Sequence, residues 1–387
     1  MIIYFPIFKK SLVKFEKRGF WLICSIIFLF WTFLSFLYAD TAPTYRLINA
    51  NTLFVSKLGD EYITNLQGDV HFFYDDIEFF ADQAEIYEKR QTLTLMGSVK
   101  AIQDTLNLEC SLAHYFHETQ YLRLTGNVVM TETMQNDEIR RRTTANSGNY
   151  FRDKGEIDLT GNVFAHSIPD SLFAKSGYAF YNQKTGYGYL IQNPLIWRTG
   201  NDSLSLYAEK IEFFEPIKKV VASFDVITQN QNIKATCDFL IYYEEEGRIV
   251  YIGNPKFFSE EGDGFADLIT IMLDNENEEH EGVVIKEIIL QDNCSINFRT
   301  SENMEKDSWI TGDSMTLFYA NNKPSEFIAE DNVNSRFNHR GEKNQQEMSN
   351  TVSGKYLKIN FDENSNATEI KINETVRGVY RFQRSRR

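Results

Sequence analysis

Cysteine is scarce in this chain of 387 residues: there are four, and Cys24 lies in an apolar leader, leaving Cys110, Cys237 and Cys294. An odd count excludes a fully paired disulfide framework, and the ordinary reading is buried strand residues. Proline is scarce too, at seven residues, and no Pro/Gly/Ser-rich stretch interrupts the sequence. That absence argues for one continuous body rather than linked domains. Helical periodicity is nearly missing after residue 45, which excludes a helical bundle. There is no Gly-x-Ser-x-Gly, phosphate loop or dinucleotide fingerprint, so an enzyme is not expected, nor a cofactor. His114 and His117 are ligand-like residues, but an odd separation on a strand sends the two side chains to opposite faces, so no metal is expected. Asp263-Gly264 lacks the spaced carboxylates and terminal Glu of a calcium loop and reads as a turn. Basic residues are also short, 40 against 54 acids, for a formal charge of −14. Nonspecific nucleic-acid binding is therefore disfavoured.

What the chain does have is a repeat. Gly68-Asp69-Val70, Gly97-Ser98-Val99, Gly126-Asn127-Val128 and Gly161-Asn162-Val163 each close a short alternating apolar strand. Residues two apart share a face, so Leu93, Leu95, Gly97 and Val99 point one way, as do Leu122, Leu124, Gly126 and Val128. The fourth copy runs Ala145, Gly148, Tyr150, a turn at Arg152-Asp153-Lys154-Gly155, then Ile157, Leu159, Gly161 and Val163. The same parity persists where the tripeptide has drifted: Leu190 to Pro194, Val220 to Val226, Ile249 to Pro255, Ile288 to Cys294, Phe327 to Val333 and Ile370 to Val376. Roughly ten copies result, at intervals of about 30 to 43 residues, the period of repeat architectures. Polar turns at Glu88–Gln91, His117–Gln120, Asn182–Gly186, Glu215–Lys219 and Glu244–Gly247 mark hairpins. Tyr, Phe, Ile, Val and Thr crowd the strands. The expectation is an all-β, elongated, repetitive roll of stacked antiparallel hairpins whose copies contact mainly their neighbours.

The first segment differs in kind. Lys9, Lys10, Lys14, Lys17 and Arg18 precede an apolar run from Phe20 to Tyr38, the pattern of an export signal or signal anchor that forms a hydrophobic helix. Cleavage after Ala39 and retention in the inner membrane both fit. Setting aside residues 1–38, with their five basic residues and Glu16, takes the charge from −14 to −18. The chain divides into a leader at 1–39, clear repeats at 45–255, more divergent repeats at 256–380 and a basic tail at 381–387. Arg140-Arg141-Arg142 and the tail arginines are the two basic clusters, and a solvated loop and a frayed terminus are expected.

The repeated unit, "Ala…Tyr, turn, Leu-x-Leu-x-Gly-Asn-Val", resembles the OstA-type repeat of lipopolysaccharide-transport proteins. It rests on Ala81, Ala84, Tyr87, Leu93, Leu95 and Gly97 with their counterparts in later copies. That family includes the periplasmic bridge protein LptA and the periplasmic part of the translocon LptD. The resemblance implies an open β-jelly roll whose hydrophobic interior carries lipid A, joined end to end with other jelly-roll proteins through strand pairing. It also implies a periplasmic, non-enzymatic role in lipopolysaccharide transport and outer-membrane assembly. Leu93, Leu95, Val99, Leu122, Leu124, Val128, Ile157, Leu159, Val163, Ile249 and Tyr251 are the candidate lining of a lipid groove; a dry core made of the same residues is the alternative. Stretches near Tyr62–Val70 and Tyr356–Phe361 are candidate edges for partner or self-association. Two further function classes fit a repeat: a secreted parallel β-helix enzyme acting on polysaccharide, and a structural surface protein.

Overall fold

The computed structural model describes residues 3–4, 45–74, 77–103, 105–134, 136, 138–169, 171–199, 204–229, 233–259, 262–274, 284–298, 308–320, 323–339, 347–363 and 366–383. The expected leader helix and the end of the basic tail lie outside the described residues. The described chain is all-β, as the alternation predicts. Among the described residues its one helical element is a 3-10 turn at Glu215–Ile217.

By contact the chain falls into two compact units, one within Arg18–Arg198 and Glu209–Lys218, the other within Met1–Lys17, Thr199–Ala208 and Lys219–Arg387. In the first, the strands Glu61–Tyr74, Ile77–Tyr87, Thr92–Gln103, Leu106–Phe116, Tyr121–Thr133, Ile139–Phe151, Glu156–Ser167 and Leu172–Asn182 each pair antiparallel with the next. Tyr45–Asn49 and Thr52–Leu58 share the outer side of Glu61–Tyr74. Tyr187–Ile191 and Leu195–Arg198 share the far side of Leu172–Asn182. The second unit repeats this meander from Lys219–Gln229 and Ile233–Tyr243 through Val284–Phe298, Ser308–Ala320, Lys323–His339 and Glu347–Phe361. It closes on Asn366–Asn373 and Arg377–Gln383, which both pair with Glu347–Phe361. Every described pairing is antiparallel, which excludes the parallel β-helix.

The tripeptide is the device that bends each long strand. At Gly68-Asp69, Gly97-Ser98, Gly126-Asn127 and Gly161-Asn162 two consecutive residues have φ between 46° and 79°, and the ladder register shifts at these points. Such a double left-handed bulge bends the strand. Of the six drifted copies one keeps glycine, at Gly253-Asn254, and the other five make the same bend without it at Gln192-Asn193, Phe224-Asp225, Asp292-Asn293, Asp331-Asn332 and Glu374-Thr375. A non-glycine residue in this region costs on the order of 1–2 kcal/mol. Asn and Asp dominate because their short polar side chains tolerate it best.

The residue facing the bend on the neighbouring strand is always small. Val70 lies opposite Ala81, Val99 opposite Cys110, Val128 opposite Ala145, Val163 opposite Ser176, Val226 opposite Cys237, Cys294 opposite Gly312 and Val333 opposite Gly354. Next to that slot a polar residue reaches the outside of the bend. Ser98 Oγ donates to Asp82 at 3.2 Å, Asn293 Nδ2 to Asp267 at 2.7 Å and Asn332 Nδ2 to Asp313 at 2.6 Å.

Both halves of each bent strand contribute to one interior. Leu93 and Leu95 before the bend and Val99 and Ala101 after it belong to a single apolar cluster. Each such fully buried aliphatic side chain stabilises the fold by about 1.5–3 kcal/mol.

Three local expectations are corrected. Arg140–Arg142 lie on the strand Ile139–Phe151 rather than in a loop, and Arg141 is 1% exposed. Asp263-Gly264 lie on the strand Gly262–Phe265 rather than in a turn, where Asp263 accepts from Asn297 Nδ2 at 3.0 Å. Tyr62–Val70 and Tyr356–Phe361 are paired on both sides, so neither is an edge. The edges are the strands beyond them, whose alternation is weaker because their side chains are exposed on both faces.

Candidate functional site

The inner face is the largest chemical feature shared by both units, and the candidate lining maps onto it. Leu93, Leu95, Val99, Leu124, Val128, Ile157, Leu159 and Val163 are all buried in the first unit's cluster, at 1–6% exposure. Leu122 is half-buried and packs against them. Ile249 and Tyr251 lie apart from these in the second unit, both half-buried. There Tyr251 packs against a second apolar cluster that includes Leu290, Met315, Leu317, Ala329 and Leu357.

Burial is graded across this face. Val70, Val99, Val128 and Val333 beside the bends are each 1% exposed, and Phe72, Ile310, Leu357 and Ile359 farther along their strands are fully covered as well. Toward the strand ends burial loosens: Tyr74, Ile77, Ile86, Tyr115 and Leu122 in the first unit, and Ile288, Tyr319, Phe361, Ile370 and Ile372 in the second, are only partly covered. At the first unit's terminal strand the same face is open. Leu53 and Val55 pair with Leu66 and Thr64 and so share their face, yet are 52% and 56% exposed, whereas Leu66 and Thr64 are buried. In the second unit Tyr380, on the last strand and opposite Asn350, is 61% exposed.

Polar groups enter the interior at few places. Tyr251 Oη lies 3.5 Å from Thr228 Oγ1, and burial pushes the Tyr251 hydroxyl up to about 12. Burial does the same to Tyr150. Arg141 meets Glu132 at 3.6 Å, with both side chains largely covered. Sequence reasoning missed this pair. Its signal was parity: Arg141, Thr143 and Ala145 share one face, and Ala145 fills a slot beside a bend.

The outer face is aromatic and self-satisfied. Tyr121 stacks between Phe116 and Phe151 at 5.5 and 4.8 Å, and Phe173 between His166 and Trp197 at 4.1 and 5.3 Å. His71 pairs with Glu78 at 2.7 Å while stacking on Phe80. His114 lies against Thr94, and His117 against Tyr74, so the two histidines do not converge. No group of three or more metal-ligating side chains occurs among the described residues. The three thiols are buried, and desolvation raises each of them, Cys110 to about 11 and Cys237 and Cys294 to about 12. Such thiols are poor nucleophiles.

Residues 45–158 match the model of the family described as OstA-like protein. Among solved structures, one similar chain is LptH of Pseudomonas aeruginosa, described as the LptA homologous periplasmic component of the conserved lipopolysaccharide transport device. It aligns at 14% identity and a TM-score of 0.25, covering 27% of this chain and 76% of its own. No curated protein matches.

Proposed function

We propose that this chain, OstA-like over residues 45–158, is a non-enzymatic periplasmic carrier in lipopolysaccharide transport and outer-membrane assembly. Its inner faces hold acyl chains while the polar head stays in water. One observation carries this reading: the apolar inner face is continuous from a tight seam at the bends to partly covered rims, and lies open at the terminal strand Thr52–Leu58. A core made only for stability has no reason to extend onto an exposed strand.

The energetics favour such a surface. Each buried methylene is worth about 0.8 kcal/mol, so a chain of a dozen carbons costs roughly 10 kcal/mol to expose to water. Near-identical copies make successive positions similar in energy, so movement along the face meets no deep well. The alternative of a structural surface protein requires outward binding faces, whereas here the repeated aliphatic residues turn inward.

The edges suit partner docking. Thr52–Leu58 and Arg377–Gln383 each pair on one side only among the described residues, which leaves backbone groups for a strand of another jelly-roll protein or a second copy. The basic flank and apolar run at residues 9–38 direct export, followed by cleavage or anchoring in the inner membrane. No helix among the described residues is long and apolar enough to cross a membrane.

Photo-crosslinking residues at Leu53, Leu122 and Ile249, on the open strand and the rims, test the assignment in living cells. We expect each to capture lipopolysaccharide, with Leu95 beside the seam capturing less. Silence at all of them in cells whose outer membrane depends on the protein overturns it.

A further inference from the structure

The inner face carries polar residues at a few positions of the repeat: Ser308 and Asn350, four residues before the slots Gly312 and Gly354, are each hydrogen-bonded to a neighbouring backbone N–H, and one strand differs from these. Four residues before the small slot, other sibling strands carry Ile77, Leu172 and Ile233, and two before it Phe79, Leu108 and Ala174. On Ile139–Phe151 these positions are Arg141 and Thr143. Arg141 is 1% exposed and lies opposite Glu132 in the ladder, with Nη1 3.6 Å from Oε2. That separation is an ion pair, not a hydrogen bond. Thr143, 4% exposed, stands on the same face between Met130 and Ala165. Neither Thr143 Oγ1 nor Glu132 Oε2 has a hydrogen-bond partner.

Stability does not explain this arrangement. Replacing a buried ion pair by aliphatic residues is often neutral or stabilising, and the sibling strands show that aliphatic residues fit. A buried hydroxyl and a buried carboxylate oxygen that accept or donate no hydrogen bond are each costly, even where an ion pair lies nearby. The hairpin end beside them is open, with Ile139 43% exposed and the Arg140 side chain 47% exposed, so the rim gives a way in.

We propose that Thr143 and Glu132, with Arg141 beside the carboxylate, form a polar subsite for a hydroxyl or amide group carried on the acyl portion of an amphiphile. The proposal rests on the carrier reading above. The Thr143 hydroxyl donates to the ligand's oxygen, and the ligand's O–H or N–H donates to Glu132 Oε2. Glu132 Oε1 already accepts from Arg140 Nη1 at 3.1 Å, so Oε2 is the carboxylate atom left for the ligand.

The test is competition against a photoreactive plain fatty acid bound to the full-length protein. The competitors are the unlabelled plain acid, a fatty acid of equal length bearing one chain hydroxyl, and a fatty amide of equal length. We expect the hydroxylated acid, the amide or both to compete roughly three- to tenfold better than the plain acid, the range of one or two net hydrogen bonds. The better of the two identifies the group. In Thr143→Val, which keeps the shape and removes the hydroxyl, the preference disappears while the plain acid binds as before. Ser176→Ala, at a slot where other copies carry Ala or Cys, keeps the preference. Equal competition by all three, or a preference that survives Thr143→Val, overturns this subsite and leaves the carrier reading standing. Failure of the protein to bind any of the probes overturns both.

Discussion

Cys110, Cys237 and Cys294 donate their S–H groups to the backbone carbonyls of Leu112, Phe239 and Asp313 at 3.5, 3.2 and 3.4 Å. Cys110 and Cys237 fill small slots, and Cys294 faces one. Desolvation is the leading cause of each raised thiol; at Cys294 the carboxylates of Asp292, Asp267 and Asp313 add to it. A thiol raised in the fold holds its proton longer there than in the unfolded chain. Its contribution to stability is therefore complete below the ordinary value of 9.0 and is lost as pH climbs through about 11 to 12. Urea midpoints of the wild type should fall over that window, and those of Cys110→Ala with Cys237→Ala should fall less. Equal slopes count against the assignment. At this scale the sequence was legible for the thiols and opaque for Arg141. A run of three arginines reads as surface because a cation is rarely buried without a partner, and that partner, Glu132, is visible only once the register of the hairpin is known.

The bent strand is the element most fully written in the sequence. Gly-polar-Val marks its bend, and parity alone carried the pattern to Phe224, Asp292, Asp331 and Glu374, where glycine is gone. How glycine is dispensed with was not legible, because the answer lies on the neighbouring strand. A Cβ at Gly126 meets Ser111 at 2.9 Å, and one at Gly161 meets the Asn146 amide at 2.5 Å. In the fifth copy the bend carries Gln192, and glycine has moved across to Gly177, where a Cβ would lie 2.6 Å from that of Gln192. The Gly177 N–H still donates to the Gln192 carbonyl at 2.9 Å, as the Asn51 N–H does to Gly68. Gly177→Asp alone should cost about 2–3 kcal/mol through overpacking. Pairing it with Gln192→Gly restores the arrangement of the first four copies and should recover at least half of that. Chemical denaturation of the two single variants and the double variant reads the coupling directly, and additive losses contradict it.

For the molecule as a whole, the all-β class and the repeat were readable, whereas its ends were not. Thr52–Leu58 lacks the buried-exposed alternation that identifies a half-buried strand, since all seven residues are exposed. Leu53, Phe54, Val55 and Leu58 leave both of its faces apolar, a liability for an isolated edge unless another chain covers it. Lysine is the usual protection, and replacing Val55 by Lys places a charge on the open inner face. In sedimentation at high concentration we expect the wild type to associate and Val55→Lys to remain monomeric. A wild type that stays monomeric throughout excludes self-association through this edge.

Because each bend needs only one small neighbour and a pair of left-handed residues, a further hairpin can be spliced in without altering those already present. Adjacent strands stand about 4.8 Å apart, so every duplicated hairpin lengthens its unit by roughly 10 Å. Reach in such a protein is thus a matter of counting copies, and natural selection can adjust it by unequal crossing-over in whole steps, with no new packing problem to solve.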